Sequence, residues 1–227
     1  MAAASQADVL LRARRSMVEG QLYSRGIRDE RLLAAMEHVP RHEFVPEDYR
    51  SQAYEDHPLP IGQGQTVSQP YIVAISIEAL ALEASTIVLE VGTGSGYQTA
   101  LLAELARFVY SIERHLRLAA EAQSRLQQLG YSNVLVLVGD GSKGLPECAP
   151  YDAITVSAAA PSIPSSLFQQ LREGGRMVVP VGPAEVQQLE LVRKQNGKAA
   201  VSILEGCRFV PLIGAQGYAS PFPESQN

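Results

Sequence analysis

Residues 88–97 read V-L-E-V-G-T-G-S-G-Y, an apolar run that passes directly into a glycine-rich turn. Such a run is typical of a strand buried on both faces, and the glycines let the chain turn without a Cβ in the way of a ligand. The turn is G-x-G-x-G, so it lacks the third glycine of a dinucleotide fingerprint, whose place is taken by Tyr97. It also lacks the Lys-Ser/Thr ending of a P-loop, which disfavours a nucleoside triphosphate.

Short apolar runs and helical stretches alternate from residue 85 onward. Strands are expected at 86–91, 108–112, 134–138, 153–156 and 176–181, and helices at 97–106, 116–129 and 163–171. Two late strands, 189–193 and 201–204, are expected to form a hairpin around Asn196-Gly197. Alternation of this length predicts an α/β fold with a doubly wound, mostly parallel, Rossmann-like sheet.

Residues 1–84 predict an N-terminal extension of helices and loops, joined to the α/β domain at 85–227 in one compact unit. Two short helices are expected around Gly20 and Gly26, from the spacing of Val18, Leu22, Ile27, Leu32, Leu33 and Met36. The Pro/Gly-rich stretch 57–64 is expected to be a surface loop. Pro70 fits the first turn of a following helix, with Ser68 or Gln69 near its N-cap.

Composition narrows the class of protein. The chain has 227 residues and a net charge of -5, from 19 basic and 24 acidic side chains. This balance argues against broad nucleic-acid binding, and no apolar run is long enough for a membrane helix. Two cysteines, Cys148 and Cys207, are too few for a disulfide framework or a four-cysteine zinc site. Without a secretory signal in residues 1–20, we expect a cytoplasmic enzyme or binding protein.

Two acidic residues follow strands at the edge where the glycine turn lies. Glu113 ends the second strand, where a carboxylate can accept both hydroxyls of a ribose. Asp140-Gly141 ends the third strand, where the carboxylate can bind an adenine amino group. Glu113 alone also fits a solvated acid at a helix start. Together they predict a nucleoside site. Its expected members are Glu90, Gly92, Gly94, Gly96, Glu113, Asp140 and Gly141.

The pattern resembles class I S-adenosylmethionine-dependent methyltransferases, and more narrowly the protein-L-isoaspartate O-methyltransferase family. The resemblance covers nearly the whole chain. It is carried by residues 39–46, 56–62, 65–71, 88–97, Asp152 with 158–161, and 173–182. The segment Q-T-V-S-Q-P at 65–70 is the specific part, because other methyltransferases do not carry it before the glycine turn. Residues 208–214 resemble bacterial members, and the tail after Gly217 is uninformative.

The resemblance implies S-adenosylmethionine as cofactor and the α-carboxyl of L-isoaspartyl residues in damaged proteins and peptides as acceptor. Methylation then leads to repair through a succinimide. It implies Ser68 as the catalytic residue, whose hydroxyl holds the carboxylate oxygen that does not attack. The implied acceptor-binding residues are Thr66, Val67, Ser68, Gln69, Val210 and Leu212. It implies no metal, nucleic-acid or membrane partner.

Several alternatives remain open from the residues themselves. Ser68 could be a helix cap before Pro70. His38 and His42 have the spacing of a metal pair, but Pro40 between them disfavours a regular helix that presents both rings. Ser68 lacks the G-x-S-x-G context of a hydrolase nucleophile. The acceptor could instead be another small acid or an RNA, or the chain could be a nucleoside-binding regulator without turnover.

Overall fold

The computed structural model describes residues 5–183 and 185–219. Its N-terminal part contains three α-helices and a two-stranded sheet. They are α1 (Gln6–Met17), α2 (Glu30–His38), β1 (Leu59–Gly62), β2 (Gln65–Val67) and α3 (Pro70–Leu80). Helix α1 continues as a π-helical turn over Val18–Leu22, and 3-10 turns cover Tyr23–Arg25, Arg41–Phe44 and Glu47–Gln52. From the sequence, Arg12, Arg14 and Arg15 indicate an exposed helix face, but the bounds of α1 were not predicted, because most of its side chains are exposed and leave little apolar periodicity.

The expectation of a surface loop at 57–64 was wrong. Strand β1 pairs with β2 in an antiparallel hairpin, with Leu59 opposite Val67 and Gly62 opposite Gln65. The two residues between the strands, Gln63 and Gly64, both have positive φ, as a tight hairpin turn requires. Leu59 and Ile61 point inward while Pro60 and Gly62 are exposed, and this alternation is concealed by the Pro/Gly-rich composition.

The remaining elements form a seven-stranded sheet with flanking helices. They are β3 (Ile87–Val91), α4 (Tyr97–Leu105), β4 (Phe108–Glu113), α5 (Leu116–Gln128), β5 (Val134–Val138), β6 (Tyr151–Val156), α6 (Ser165–Gln170), β7 (Leu171–Val181), β8 (Gln187–Gln195) and β9 (Lys198–Cys207). The strand order is β5-β4-β3-β6-β7-β8-β9. Strands β3 to β7 pair in parallel, and β8 and β9 add antiparallel to β7.

This sheet confirms the predicted doubly wound α/β class. The late hairpin is also confirmed: Gln195 pairs with Lys198, and both turn residues, Asn196 and Gly197, have positive φ. The expected helix at 163–171 is shorter in the structure, because the chain is already extended at Leu171, where it pairs with Tyr151. Within the described residues, no helix combines the length and apolar character needed to cross a bilayer.

The two faces of the sheet are buried by different parts of the chain. In β3, Val88 faces a core shared with Leu32, Phe44 and Leu101, whereas Leu89 faces the opposite core. The first core therefore joins helices from residues before 84 to the α/β sheet. The sequence-based division at about residue 84 falls in the loop between α3 and β3.

Removal of a core side chain contributed by the N-terminal helices tests this joint core. Leu32 is 0% exposed, so Leu32→Ala should lower the free energy of unfolding by about 2–5 kcal/mol through lost packing and a cavity. Urea unfolding should remain a single transition. Leu116, which is 71% exposed, is the matched control, and Leu116→Ala should change stability by less than about 0.5 kcal/mol. Two separate transitions in the Leu32 variant would contradict a shared core.

Candidate active site

A cavity opens at the carboxyl ends of β3, β4 and β6, where the strand order reverses direction along the sheet. It encloses about 1070 Å³, including its open mouth. Open α/β sheets bind ligands at this position, because neighbouring connections leave in opposite directions and create a crevice. One wall is the glycine turn after β3, and another wall combines the segment 64–68 with residues 210–213.

The glycine turn forms the wall of the cavity at Gly92 and Gly94, as the sequence predicts. Gly94 has φ +54°, and a Cβ built on it would lie 3.3 Å from the Cδ1 atom of Ile61. A side chain there would be strained by the backbone and would press on its neighbour. Gly96 does not line the cavity. Its φ is +88°, and a Cβ would lie 3.3 Å from that of Ala122 on α5, so this glycine serves helix packing.

Glu113 lies at the end of β4 and lines the cavity, as the sequence predicts. One carboxylate oxygen accepts the backbone N–H of Gly94 at 2.9 Å, and the other accepts that of His115 at 2.9 Å. The side chain is buried. Glu113 therefore ties the glycine turn to the start of α5 while it contributes negative charge to the cavity wall.

Glu90 lies beneath the glycine turn and does not line the cavity. Its Oε2 atom accepts hydrogen bonds from the hydroxyls of Thr99 at 2.5 Å and Ser111 at 2.7 Å. Complete burial raises the pKa of this carboxyl to about 7, although the two hydroxyls oppose the shift. The structure thus gives Glu90 a place under the turn, in contrast to the direct cofactor contact expected from its position before the first glycine.

Asp140 also lies outside the lining, although Gly141 beside it is part of the cavity wall. Its carboxylate accepts the backbone N–H of Ser142 at 3.0 Å, the Ser142 hydroxyl at 2.6 Å and the backbone N–H of Ala215 at 2.9 Å. Partial burial alone would raise its pKa, but these hydrogen bonds together lower it. In the structure Asp140 fastens the C-terminal segment to the end of β5, and its contact with the adenine amino group stays a prediction.

The residues expected on the acceptor side are brought together by the hairpin and the C-terminal segment. Thr66, Val67, Ser68, Val210 and Leu212 all line the cavity. Gln69 lies instead in an adjoining groove that shares Thr66, Ser68 and Val210 with the cavity. The cavity and the groove therefore border each other at these residues.

Ser68 does not cap α3. The N-cap is Gln69, the cap has no side-chain hydrogen bond, and Pro70 occupies the first turn. The carbonyl oxygen of Ser68 accepts a hydrogen bond from Arg41 Nη2 at 2.8 Å. The alternative that Ser68 serves as a helix cap was therefore wrong, and its side chain is left at the junction of the cavity and the groove.

Several further polar residues of the lining were missed by the sequence reasoning, among them Gln98, His115 and Ser157. Gln98 donates from Nε2 to the Ser157 hydroxyl at 3.1 Å, across the floor of the cavity. Ser157 directly follows β6, so the rule that pointed to Glu113 could also have found it. His38 and His42 turn to different partners, the carboxylate of Glu104 and the hydroxyl of Tyr54.

The raised pKa of Glu90 predicts a dependence of stability on pH. A glutamate titrates near 4.5 when unfolded and Glu90 near 7 when folded, so the folded chain binds the extra proton between these values. The contribution of Glu90 to the free energy of unfolding is then fully present below about pH 4.5 and is lost as the pH rises through 7. Glu90→Gln keeps an acceptor oxygen but does not titrate.

We expect the free energy of unfolding of Glu90→Gln, relative to that of the wild type, to be about 1–3 kcal/mol higher at pH 8 than at pH 5. Urea unfolding at both pH values measures this difference. Glu121→Gln on the exposed side of α5 is the control and should follow the wild type. A Glu90→Gln chain with the pH dependence of the wild type would contradict the assignment.

Comparison with known proteins identifies the family. Residues 13–217 match the family model described as protein-L-isoaspartate(D-aspartate) O-methyltransferase. A protein-L-isoaspartate O-methyltransferase of Koribacter versatilis is 57% identical over 91% of this chain and 93% of its own length. One from Methanoculleus marisnigri is 53% identical over 95% of this chain and 100% of its own.

Solved structures agree with the sequence relatives. A protein-L-isoaspartate O-methyltransferase structure superposes with a TM-score of 0.80 at 30% identity, covering 89% of this chain and 67% of the other. A Plasmodium falciparum structure has a TM-score of 0.77 at 26% identity, covering 88% of this chain and 98% of the other. It is described as a candidate protein-L-isoaspartate O-methyltransferase in complex with S-adenosyl-L-homocysteine. The chain belongs to the protein-L-isoaspartate(D-aspartate) O-methyltransferase family.

Proposed function

We propose that this chain transfers a methyl group from S-adenosylmethionine to the α-carboxyl of L-isoaspartyl residues in damaged proteins and peptides, which starts their repair through a succinimide. One observation carries the proposal: the glycine turn with Glu113 and the Ser68 segment form two walls of the same cavity. A cofactor on the first wall and a carboxylate on the second are thereby brought into contact. The names of the relatives support this activity.

The residues present fit S-adenosylmethionine, which supplies an electrophilic methyl on a sulfonium. A Cβ at Gly92 would lie 3.3 Å from that of Ser157, so the backbone of the turn approaches the cavity as only glycine permits. Gly92, Gly94 and Gly141 present backbone to the cavity on the side of the nucleoside, and Glu113 offers carboxylate oxygens to its ribose. Glu90, Gly96 and Asp140 act indirectly, by supporting the turn and the C-terminal segment.

The acceptor needs no strong general base. A carboxyl group has a pKa near 4 and is already ionised at neutral pH. The protein can therefore promote the reaction by aligning the attacking oxygen with the methyl–sulfur bond and by removing water from the carboxylate. The Ser68 hydroxyl donates to the oxygen that does not attack, and Thr66, Val67, Val210 and Leu212 enclose it. Gln69 lies where the acceptor chain continues into the groove.

Methyl transfer to two matched peptides tests the proposal. Labelled S-adenosylmethionine is supplied with an isoaspartyl peptide and with its aspartyl twin, and we expect base-labile methyl ester only on the first. Methyl transfer to RNA or to a small acid, with neither peptide modified, would support another acceptor. Cofactor binding without release of S-adenosylhomocysteine in any of these reactions would indicate a regulator.

We also propose a cytoplasmic location and protein substrates without a nucleic-acid partner. The thiols of Cys148 and Cys207 are unpaired, which suits a reducing compartment. The net charge of -5 is unfavourable for binding along a nucleic-acid backbone.

Glu113→Ala tests the cofactor wall, which is the part of the cavity lined by the glycine turn and Glu113. The change removes the proposed ribose acceptor and releases the N–H groups of Gly94 and His115. A charge-assisted hydrogen bond contributes roughly 1.5–3 kcal/mol, so the affinity for S-adenosylmethionine should fall about ten- to a hundredfold. Calorimetry measures the affinity directly. Glu121→Ala, an acid on the exposed side of α5, should bind as the wild type does. Unchanged binding by the Glu113 variant would refute its assignment to the ribose.

Ser68→Ala tests the acceptor wall. Loss of one neutral donor in a water-poor site should lower methyl transfer to the isoaspartyl peptide about tenfold to a thousandfold. Affinity for the cofactor should stay constant, because the hydroxyl meets the acceptor and not the nucleoside. The melting temperature should also stay constant, because Ser68 does not cap α3. Full activity of Ser68→Ala would remove Ser68 from the mechanism.

A further inference from the structure

Arg41 is a buried cation that lies outside the lining of both the cavity and the adjoining groove. It is 0% exposed and belongs to the 3-10 turn Arg41–Phe44. Burial of a charge is unfavourable unless its donors find partners. Its Nε and Nη2 atoms find backbone carbonyls from two other segments of the N-terminal part, whereas Nη1 has no hydrogen-bond partner among the described residues.

One edge of the guanidinium holds both carbonyls. Nε donates to the carbonyl of Ala53 at 2.7 Å, and Nη2 donates to the carbonyl of Ser68 at 2.8 Å. These two nitrogens lie in one rigid plane, so the separation of the two carbonyls is set by the shape of the side chain. A lysine ammonium is a point donor and does not impose such a separation.

The guanidinium also packs against the ring of Tyr97, which follows the glycine turn. Arg41 Cζ lies 4.7 Å from the centre of the Tyr97 ring, and Tyr97 begins α4 directly after the glycine turn. The Tyr97 ring is in turn packed edge-on against Phe44, with 5.6 Å between ring centroids. Arg41 thus contacts both α4, which begins directly after the glycine turn, and the segment that carries Ser68.

The contact with Ser68 has a direct geometric consequence. The carbonyl oxygen fixes the plane of the peptide bond between Ser68 and Gln69, and that plane sets ψ of Ser68. The direction of the Cα–Cβ bond of Ser68, and with it the space that the hydroxyl can reach, follows from this backbone. Ser68 has no helical cap to orient it by other means.

We propose that Arg41 is a positioning residue, which holds the Ser68 hydroxyl at a fixed place relative to the cofactor turn. The inference rests on the proposed function, because it assigns Arg41 to the placement of the acceptor carboxylate. Arg41 itself touches neither acceptor nor cofactor. Misplacement of a reacting group by about 1 Å can slow an enzyme about a hundredfold, so a rigid link between the two walls is useful.

Arg41→Lys in the full-length chain tests this role. It keeps the charge and most of the volume but loses the planar fork. We expect kcat for the isoaspartyl peptide to fall about ten- to a hundredfold, while the dissociation constant of S-adenosylmethionine changes less than about twofold. In the Ser68→Ala background the same change should lower kcat by less than about twofold, because the hydroxyl it positions is gone.

Arg31→Lys is the matched control. Arg31 also joins two backbone carbonyls, those of Leu82 at 3.0 Å and Leu105 at 2.7 Å, but it lies away from the cavity. Loss of this link should lower the melting temperature and leave kcat unchanged. If Arg41→Lys lowers kcat and Arg31→Lys does not, the loss of kcat comes from the contact with Ser68 and not from the loss of any arginine that joins two carbonyls.

Arg41→Met covers the case in which a buried lysine prevents folding, because it fills the same space without a charge. It should show the same loss of kcat and the same lack of effect in the Ser68→Ala background. Equal losses of kcat with and without Ser68, or unchanged kcat, would overturn the proposal. So would failure of both variants to fold, which assigns Arg41 to the fold alone. A wild-type chain that does not methylate the isoaspartyl peptide would overturn the proposed function and this inference with it.

Discussion

The carboxylate of Glu113 makes the interaction on which the site depends. Parallel strands bring their carboxyl ends to one edge of the sheet, where backbone N–H groups of the following turns have no strand partner. Glu113 accepts two of them, from Gly94 after β3 and from His115 after β4, so two successive strand–helix connections share one acceptor. The turn is held in the conformation that its positive φ values require, and negative charge remains in the cavity wall.

Two buried ionisable groups flank this arrangement, and each is retained at a cost in solvation. Glu90 lies under the glycine turn with Thr99 and Ser111, and burial raises its pKa to about 7. Arg41 lies on the acceptor side, and burial lowers its pKa. Hydrophobic side chains in their places would pack as well but could not bind a hydroxyl or a carbonyl of a neighbouring segment. Both groups fix backbone or side chains next to the cavity, which explains why polar groups occupy core positions there.

The strands of the central sheet and the edge that carries the site could be predicted from the sequence, because a buried strand such as Ile87–Val91 is built from a mostly apolar run. The order of residues also placed Gly92, Gly94 and Glu113 at the cavity. It could not give the direction of a side chain. Glu90 and Asp140 lie near the carboxyl ends of β3 and β5, but their carboxylates accept hydrogen bonds from Thr99 and Ala215, and neither residue lines the cavity. Those partners lie in other elements, and only the packed fold brings them near.

The sequence also could not give the position of the acceptor wall, which is formed by residues 64–68 and 210–213, and the packing of the core explains why. The hairpin of β1 and β2 carries Thr66 and Val67 to the cavity, yet by itself a two-stranded sheet is only marginally stable in water. Its inward residues Leu59 and Val67 belong to the same core as Val88 of the central sheet. The position of the acceptor wall relative to the cofactor turn is therefore set by core packing, which resists small displacements. A chain that must align three atoms across a cavity benefits from this arrangement, because the extension and the sheet cannot shift separately without opening their common core.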